Sequence, residues 1–197
     1  MRLILASQSP RRTSLLQRLG IPFDVQPAEI EEAAGDGESP EQTCRRLARE
    51  KAGAVADLHP ESLVIGSDTI VLLDDALLGK PANLTEARSM LRSLADRTHL
   101  VKTAVSMQCR DRGLDTEFVE STAVSFGKVT DEDIALYLET DPPLDKAGAY
   151  GIQDFSGVFV DRIEGCYHNV MGFPLARFYR HLRETGIWPE LQSRNNL

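Results

Sequence analysis

Five short stretches of this chain combine small residues, charge and the edge of an expected strand or helix: SPRR at 9–12, IEE at 30–32, GSDT at 66–69, GKP at 79–81 and DKAGAYGIQ at 145–153. Loops at such edges are where functional side chains concentrate. Pooled with their neighbours they supply the cations Arg11, Arg12, Lys51, Lys80 and Lys146, the hydroxyls of Ser7 and Ser9, and the open N–H groups of a helix start. Charge-assisted donors plus backbone amides are what a triphosphate needs. The carboxylates Glu32 and Asp68 complete the set. Hard divalent cations such as Mg²⁺ or Mn²⁺ take oxygen ligands and are commonly held by one or two carboxylates together with substrate phosphates. Each stretch taken alone has a plainer reading: Lys80 as a solvated turn lysine, Asp68 as an Asx-turn closing a break between strands, Glu31 and Glu32 as a solvated acidic loop.

Arg11 and Arg12 favour the functional reading. Ser9 followed by Pro10 marks a helix start, with serine as cap and proline suited to the first helical position. Two cations in that first turn oppose the macrodipole, which favours acids there by roughly 0.3–1 kcal/mol each. They make sense as ligands for an anion rather than as helix stabilisers.

The elements that must position these groups follow from pattern. LILA at 3–6 predicts a buried strand feeding the Ser9 helix, which runs through Leu15, Leu16 and Leu19 and stops at Gly20. A short extended piece, PFDVQP, precedes an exposed loop, AEIEEAAGDGE. Ser39, Pro40 and Gln42 form a capping-box signal for a helix running to about Asp57. The segment LVIGSDTIVLLDDALLGKP reads as a strand, a Gly-Ser-Asp break, a second strand and a hairpin turn at Asp74 and Asp75. A helix is expected over 85–94, then two long strands joined around Gly113, a Thr130-capped helix, a turn-rich stretch, a strand at VFVDRIEG and a final helix over 170–184. The fold class is therefore α/β with an elongated mixed twisted sheet flanked by helices. A single domain over 1–197 is expected, with the polar end from 191 onward fraying.

Composition excludes several classes. The chain has 197 residues, 42% of them hydrophobic, enough for a packed core. A net charge of −8 argues against a sequence-independent grip on nucleic acid, which needs surplus Lys and Arg. No apolar run approaches the ~20 residues of a bilayer span, and the N-terminus lacks a signal-peptide pattern, so a cytoplasmic protein with no membrane partner is expected. Cys44, Cys109 and Cys166 are widely spaced and read as packed thiols. The scattered histidines, His168 included, suggest no catalytic group, and Trp188 reads as packing. Asn169 at a cleft mouth and Thr122 against phosphate are minor candidates.

Taken in order, LAS-x-SPRR, IEE, EKA around Lys51, GSDT, GKP and DKAGAYGIQ resemble the Maf family of nucleoside triphosphate pyrophosphatases, with the likeness extending to NVMGFPL. The resemblance implies a fold shared with the inosine triphosphate pyrophosphatase group, two lobes around a central cleft, and a homodimer. It also implies metal-dependent hydrolysis between the α and β phosphates, giving a monophosphate and pyrophosphate. Asp68 matches the family's proton acceptor, and Arg11, Thr69 and Gln153 match positions linked to base choice. These three resemble the dTTP/UTP subfamily rather than the 7-methyl-GTP one. Two alternatives are carried forward: the same chemistry on 7-methyl-GTP, and a nucleotide-binding regulator of division or septum formation.

Overall fold

The computed structural model describes Met1–Ser193. Its strands form one seven-stranded sheet in the order β2-β1-β3-β5-β6-β7, with β4 paired to β3. Here β1 is Leu3–Leu5, β2 Asp24–Val25, β3 Leu63–Leu73, β4 Ala76–Leu78, β5 Thr98–Cys109, β6 Leu114–Phe126 and β7 Val160–Glu164. β1 lies parallel to both β2 and β3, whereas β4 pairs antiparallel with β3 and β7 with β6, so the sheet is mixed as expected. The chain forms two compact units: Met1–Asp68, Thr103–Glu120 and the segment from Gly172 onward in the first; Thr69–Lys102 and Ser121–Met171 in the second. Among the described residues no helix is long and apolar enough to cross a membrane.

In the first unit, α1 (Pro10–Gln17) starts where the serine cap predicts: the Arg12 N–H donates to Ser9 Oγ. Its buried Leu15 and Leu16 fix it to the core, and Gly20, at φ 66°, ends the turn beyond it. α2 (Pro40–Ala56) carries the full capping box, Ser39 N–H to Gln42 Oε1 at 2.8 Å and Gln42 N–H to Ser39 Oγ at 3.3 Å. Its buried face is Thr43, Cys44, Leu47, Ala48, Lys51, Ala52, Val55 and Ala56, the three-and-four spacing of one helical stripe. A lysine therefore stands in an apolar row.

β3 is continuous through Gly66, Ser67 and Asp68, so the break and Asx-turn expected there do not form. The glycine answers a packing need instead. A Cβ on Gly66 would lie 2.2 Å from the Ala48 carbonyl oxygen and 2.5 Å from the Ala52 nitrogen. Only a residue without a side chain lets α2 lie this close to the strand.

In the second unit, α3 (Leu84–Leu94) is capped by Asn83 and α4 (Asp131–Thr140) by Thr130, the latter with a capping box to Asp133. Tyr137 is fully buried and packs edge-on to Phe159, while Phe126 meets Tyr150 and Phe159. The strand expected at VFVDRIEG begins only at Val160, because Phe155–Phe159 form a 3₁₀ turn.

The single final helix over 170–184 is also corrected. α5 (Tyr167–Val170) and α6 (Leu175–Glu184) are separate, interrupted by Gly172 at φ 104° and by Pro174, which cannot donate into a helix. A further short helix, α7 (Trp188–Gln192), follows, with Leu191 buried and Trp188 edge-on to Tyr179. The stretch expected to fray from 191 onward thus opens inside this helix, and residues 194–197 lie outside the described part.

Candidate active site

In the first unit the N-terminal motif forms one connected network. Ser9 N–H donates to Ser7 Oγ at 3.2 Å, and the Arg12 guanidinium donates to Ser7 Oγ at 3.4 Å and to the Gly172 carbonyl at 3.0 Å. The interruption between α5 and α6 thus supplies the acceptor that orients Arg12. Burial lowers the Arg12 guanidinium below its ordinary range, more than Asp68, Cys44 and Glu32 raise it, with like-charged Arg11 adding to the lowering. Arginine stays charged in any such environment. A desolvated cation whose first turn contains no acid is set up to receive an anion.

Lys51 resolves its place in the apolar stripe by ion pairing. It is 7% exposed, and its Nζ lies 2.8 Å from Asp68 Oδ1 and 2.8 Å from Glu32 Oε1. Burial of an ammonium this deep requires such partners. Asp68 comes from the middle of β3, and Glu32 from the acidic loop, which is less free than its composition suggests. Arg46 of α2 donates to the Ala33 carbonyl at 2.7 Å and to both oxygens of Glu38, while Glu38 also accepts from Gly35 N–H and Thr43 Oγ1. The Arg46 hydrogen bond, foremost among these, holds the Glu38 carboxyl down to about 2. The loop bearing Glu32 is pinned to the helix bearing Lys51.

Two carboxylate oxygens from separate elements thus converge on one positive charge. A pair of this kind, completed by phosphate oxygens, suits a hard divalent cation. Among the described residues no group of three or more His, Cys, Asp and Glu side chains is arranged around a common metal position. Cys44 is no candidate nucleophile: burial first, then nearby Asp68, pushes its thiol up to about 12, and its Sγ donates to the Asp68 carbonyl at 3.3 Å.

In the second unit, two of the motifs meet. Gly148 N–H donates to the Gly79 carbonyl at 3.0 Å, joining the turn that carries exposed Lys80 to the DKAGAYGIQ loop. Within that loop Ala149 holds φ 59°, a left-handed conformation costly for alanine and characteristic of functional loops. Lys146 is 8% exposed, with Asp145, Asp154 and Asp141 at 3.4, 3.5 and 3.6 Å from its Nζ. Burial pulls its ammonium down, but Asp145, Tyr137, Asp141 and Asp154 together outweigh it and raise it overall. Gln153 is exposed and donates through Nε2 to Asp154 Oδ2 at 3.0 Å. Thr69 follows Asp68 on β3 and is half-buried, as is Arg11 in the first turn of α1.

The expected residues therefore gather as two groups: Ser7, Ser9, Arg12, Glu32, Lys51 and Asp68 in the first unit, and Lys80, Lys146 and Gln153 in the second. The minor candidates are corrected. Thr122 and Asn169 are both fully buried, with Asn169 Nδ2 donating to Thr122 Oγ1 and to the Val101 carbonyl, while Thr122 Oγ1 accepts from Cys166 N–H. They stitch α5 to the sheet. Asp154 and the Gly172 carbonyl escaped the sequence reading, although Asp154 stands directly after the glutamine of a recognised motif.

The family described as Maf-like protein matches residues 2–185. A dTTP/UTP pyrophosphatase of Koribacter versatilis is 48% identical over 189 residues, covering 95% of this chain and 96% of the relative. Proteins of the same name from Bacillus velezensis and Bacillus cytotoxicus are 47% and 45% identical, covering 94% and 92% of this chain and 97% and 94% of their own. Among solved structures, the Staphylococcus aureus Ham1 protein matches at a TM-score of 0.47 and 15% identity, over 64% of this chain and 72% of its own.

Proposed function

The chain belongs to the Maf family, and we propose that it is a nucleoside triphosphate pyrophosphatase acting on dTTP and UTP. Water attacks the α-phosphorus, the bond to the α–β bridging oxygen breaks, and the products are the nucleoside monophosphate and pyrophosphate. Support for the substrate comes from the names of relatives that span nearly the whole chain. The observation that carries the chemistry is the meeting of Glu32, Asp68 and buried Lys51.

Asp68 orients the attacking water and takes its proton as the new P–O bond forms. Ser7, Ser9, Arg12 and the amides at the start of α1 grip the phosphate chain, and Lys51, Lys80 and Lys146 stabilise the charge that builds on departing pyrophosphate. Arg11, Thr69 and Gln153 select the base. Glu32 and Asp68 would hold Mg²⁺ or Mn²⁺, whose charge would offset that of the phosphates. Positioning and electrostatics supply most of the rate, since this transfer asks little covalent chemistry of the protein. We place the enzyme in the cytoplasm as a homodimer, acting on small nucleotides and not on nucleic acid or membrane, in keeping with its net charge of −8.

The test is a nucleotide panel with pyrophosphate detection, run on the purified chain with Mg²⁺ and with Mn²⁺. Release of pyrophosphate from dTTP and UTP ahead of dCTP, GTP and 7-methyl-GTP is expected. Preference for a purine overturns the base assignment, and triphosphate binding without turnover overturns the enzyme reading in favour of a regulator.

A further inference from the structure

The loop after Tyr150 is braced so that one carboxylate occupies a set position. Buried Ser156 donates through Oγ to the Gly151 carbonyl and accepts from Gly151 N–H, both at 3.0 Å. Asp154 N–H donates to that same carbonyl at 2.9 Å, and Gly157 N–H to the Asp154 carbonyl at 2.9 Å. The space needed by the carboxylate is left by the absent side chain of Gly151, whose Cβ would fall 2.2 Å from Asp154 Oδ2 and 3.0 Å from Lys146 Cε. Lys146 Nζ, 3.5 Å from Oδ2, holds the carboxylate from one side. Gln153 Nε2 reaches the same oxygen at 3.0 Å.

Resting on the pyrophosphatase reading, we propose that Asp154 is a positioning residue that sets which way the Gln153 amide faces and thereby makes this enzyme select an imide-bearing pyrimidine. A carboxylate only accepts hydrogen bonds, so the atom of Gln153 turned towards Asp154 must be the nitrogen. The outward atom is then Oε1, an acceptor. Thymine and uracil carry a donor at N3–H, whereas N3 of cytosine is itself an acceptor and would meet Oε1 lone pair to lone pair. An amide free to rotate would offer either atom and discriminate less; a clamped one rejects the wrong ring by leaving polar atoms unpaired.

The experiment compares kcat/KM for dTTP and dCTP, with N3-methyl-dTTP as a probe lacking the donor, in the parent, Asp154→Ala and Asp154→Asn proteins, with thermal melts to confirm folding. In the parent, dTTP is preferred and N3-methyl-dTTP is poor. In Asp154→Ala the dTTP-to-dCTP ratio falls by roughly tenfold or more, the scale of one unpaired polar contact. In isosteric Asp154→Asn, which can still accept from Gln153 but no longer forces its orientation, the fall is smaller. A ratio unchanged within twofold in both folded variants, or one that rises, overturns the role of Asp154 while leaving the activity standing. A parent that releases no pyrophosphate from dTTP or UTP overturns both readings.

Discussion

Lys51 of α2 and Asp68 of β3, 17 positions apart in the chain, meet at 2.8 Å with the lysine almost wholly withdrawn from solvent. A charged contact thus links a helix whose other inward residues, Thr43 apart, are apolar to the strand that carries the expected proton acceptor. Glu32, at 2.8 Å from the same Nζ, makes the lysine the shared counter-ion of two acids.

If Asp68 is the group that orients and deprotonates water, Asp68→Asn keeps the shape and removes the base. Turnover of dTTP is expected to fall by about 10²–10⁴, with the circular dichroism spectrum unchanged. Activity within a few-fold of the parent would exclude Asp68 from proton transfer.

Replacing Lys51 by Met fills the apolar row but leaves Glu32 and Asp68 without their common partner. A loss of about 3 kcal/mol is expected, the low end of the cost of breaking a buried pair because Glu32 is half exposed, which is roughly 6–12 °C for a chain of this size. Because the two acids then need a cation, millimolar Mg²⁺ should restore part of the loss in a melting experiment. A melting temperature indifferent to Mg²⁺ would count against these carboxylates as the metal-holding pair.

Gly66→Ala places a methyl group against backbone atoms of Ala48 and Ala52, which cannot swing aside as a side chain would. The expected cost is about 1–3 kcal/mol or more. Urea unfolding would register it as a lowered midpoint, and because β3 and α2 carry Asp68 and Lys51, activity should fall with it.

His99 predicts acid sensitivity. It is buried, accompanied by Phe126 and hydrogen-bonded to Tyr150, and burial lowers its imidazole to about 4. Above the unfolded value of about 6.5 both states are neutral and the contribution to stability is complete. As pH falls from there to about 4, the unfolded chain takes up the proton first and stability drops, by up to about 3 kcal/mol. Urea midpoints measured across pH 4–8 should show this slope in the parent and lose much of it in His99→Gln.

Much was legible in the chain alone, and the legible parts share a cause. Ser9 with Pro10, Ser39 with Gln42, and Thr130 with Asp133 are local signals, each satisfied within one turn of helix, and all three caps form. The long strands β5 and β6 and the stop at Gly20 are equally local. Local pattern misleads where distant segments decide. Gly66 reads as a break because glycine usually marks one, yet the need it meets is the approach of a helix met earlier in the chain. The single final helix that local pattern predicts runs through Gly172 and Pro174, whose interruption of it frees a carbonyl for Arg12, 160 residues away. Lys51 falls in an apolar stripe by spacing, but only packing supplies the two acids that make its burial tolerable. Asp154 gains its meaning from Lys146 and from the space left by Gly151. Composition and local pattern determine which groups are present and which elements carry them; the free energy of bringing charges together out of water depends on distances that only the folded chain sets.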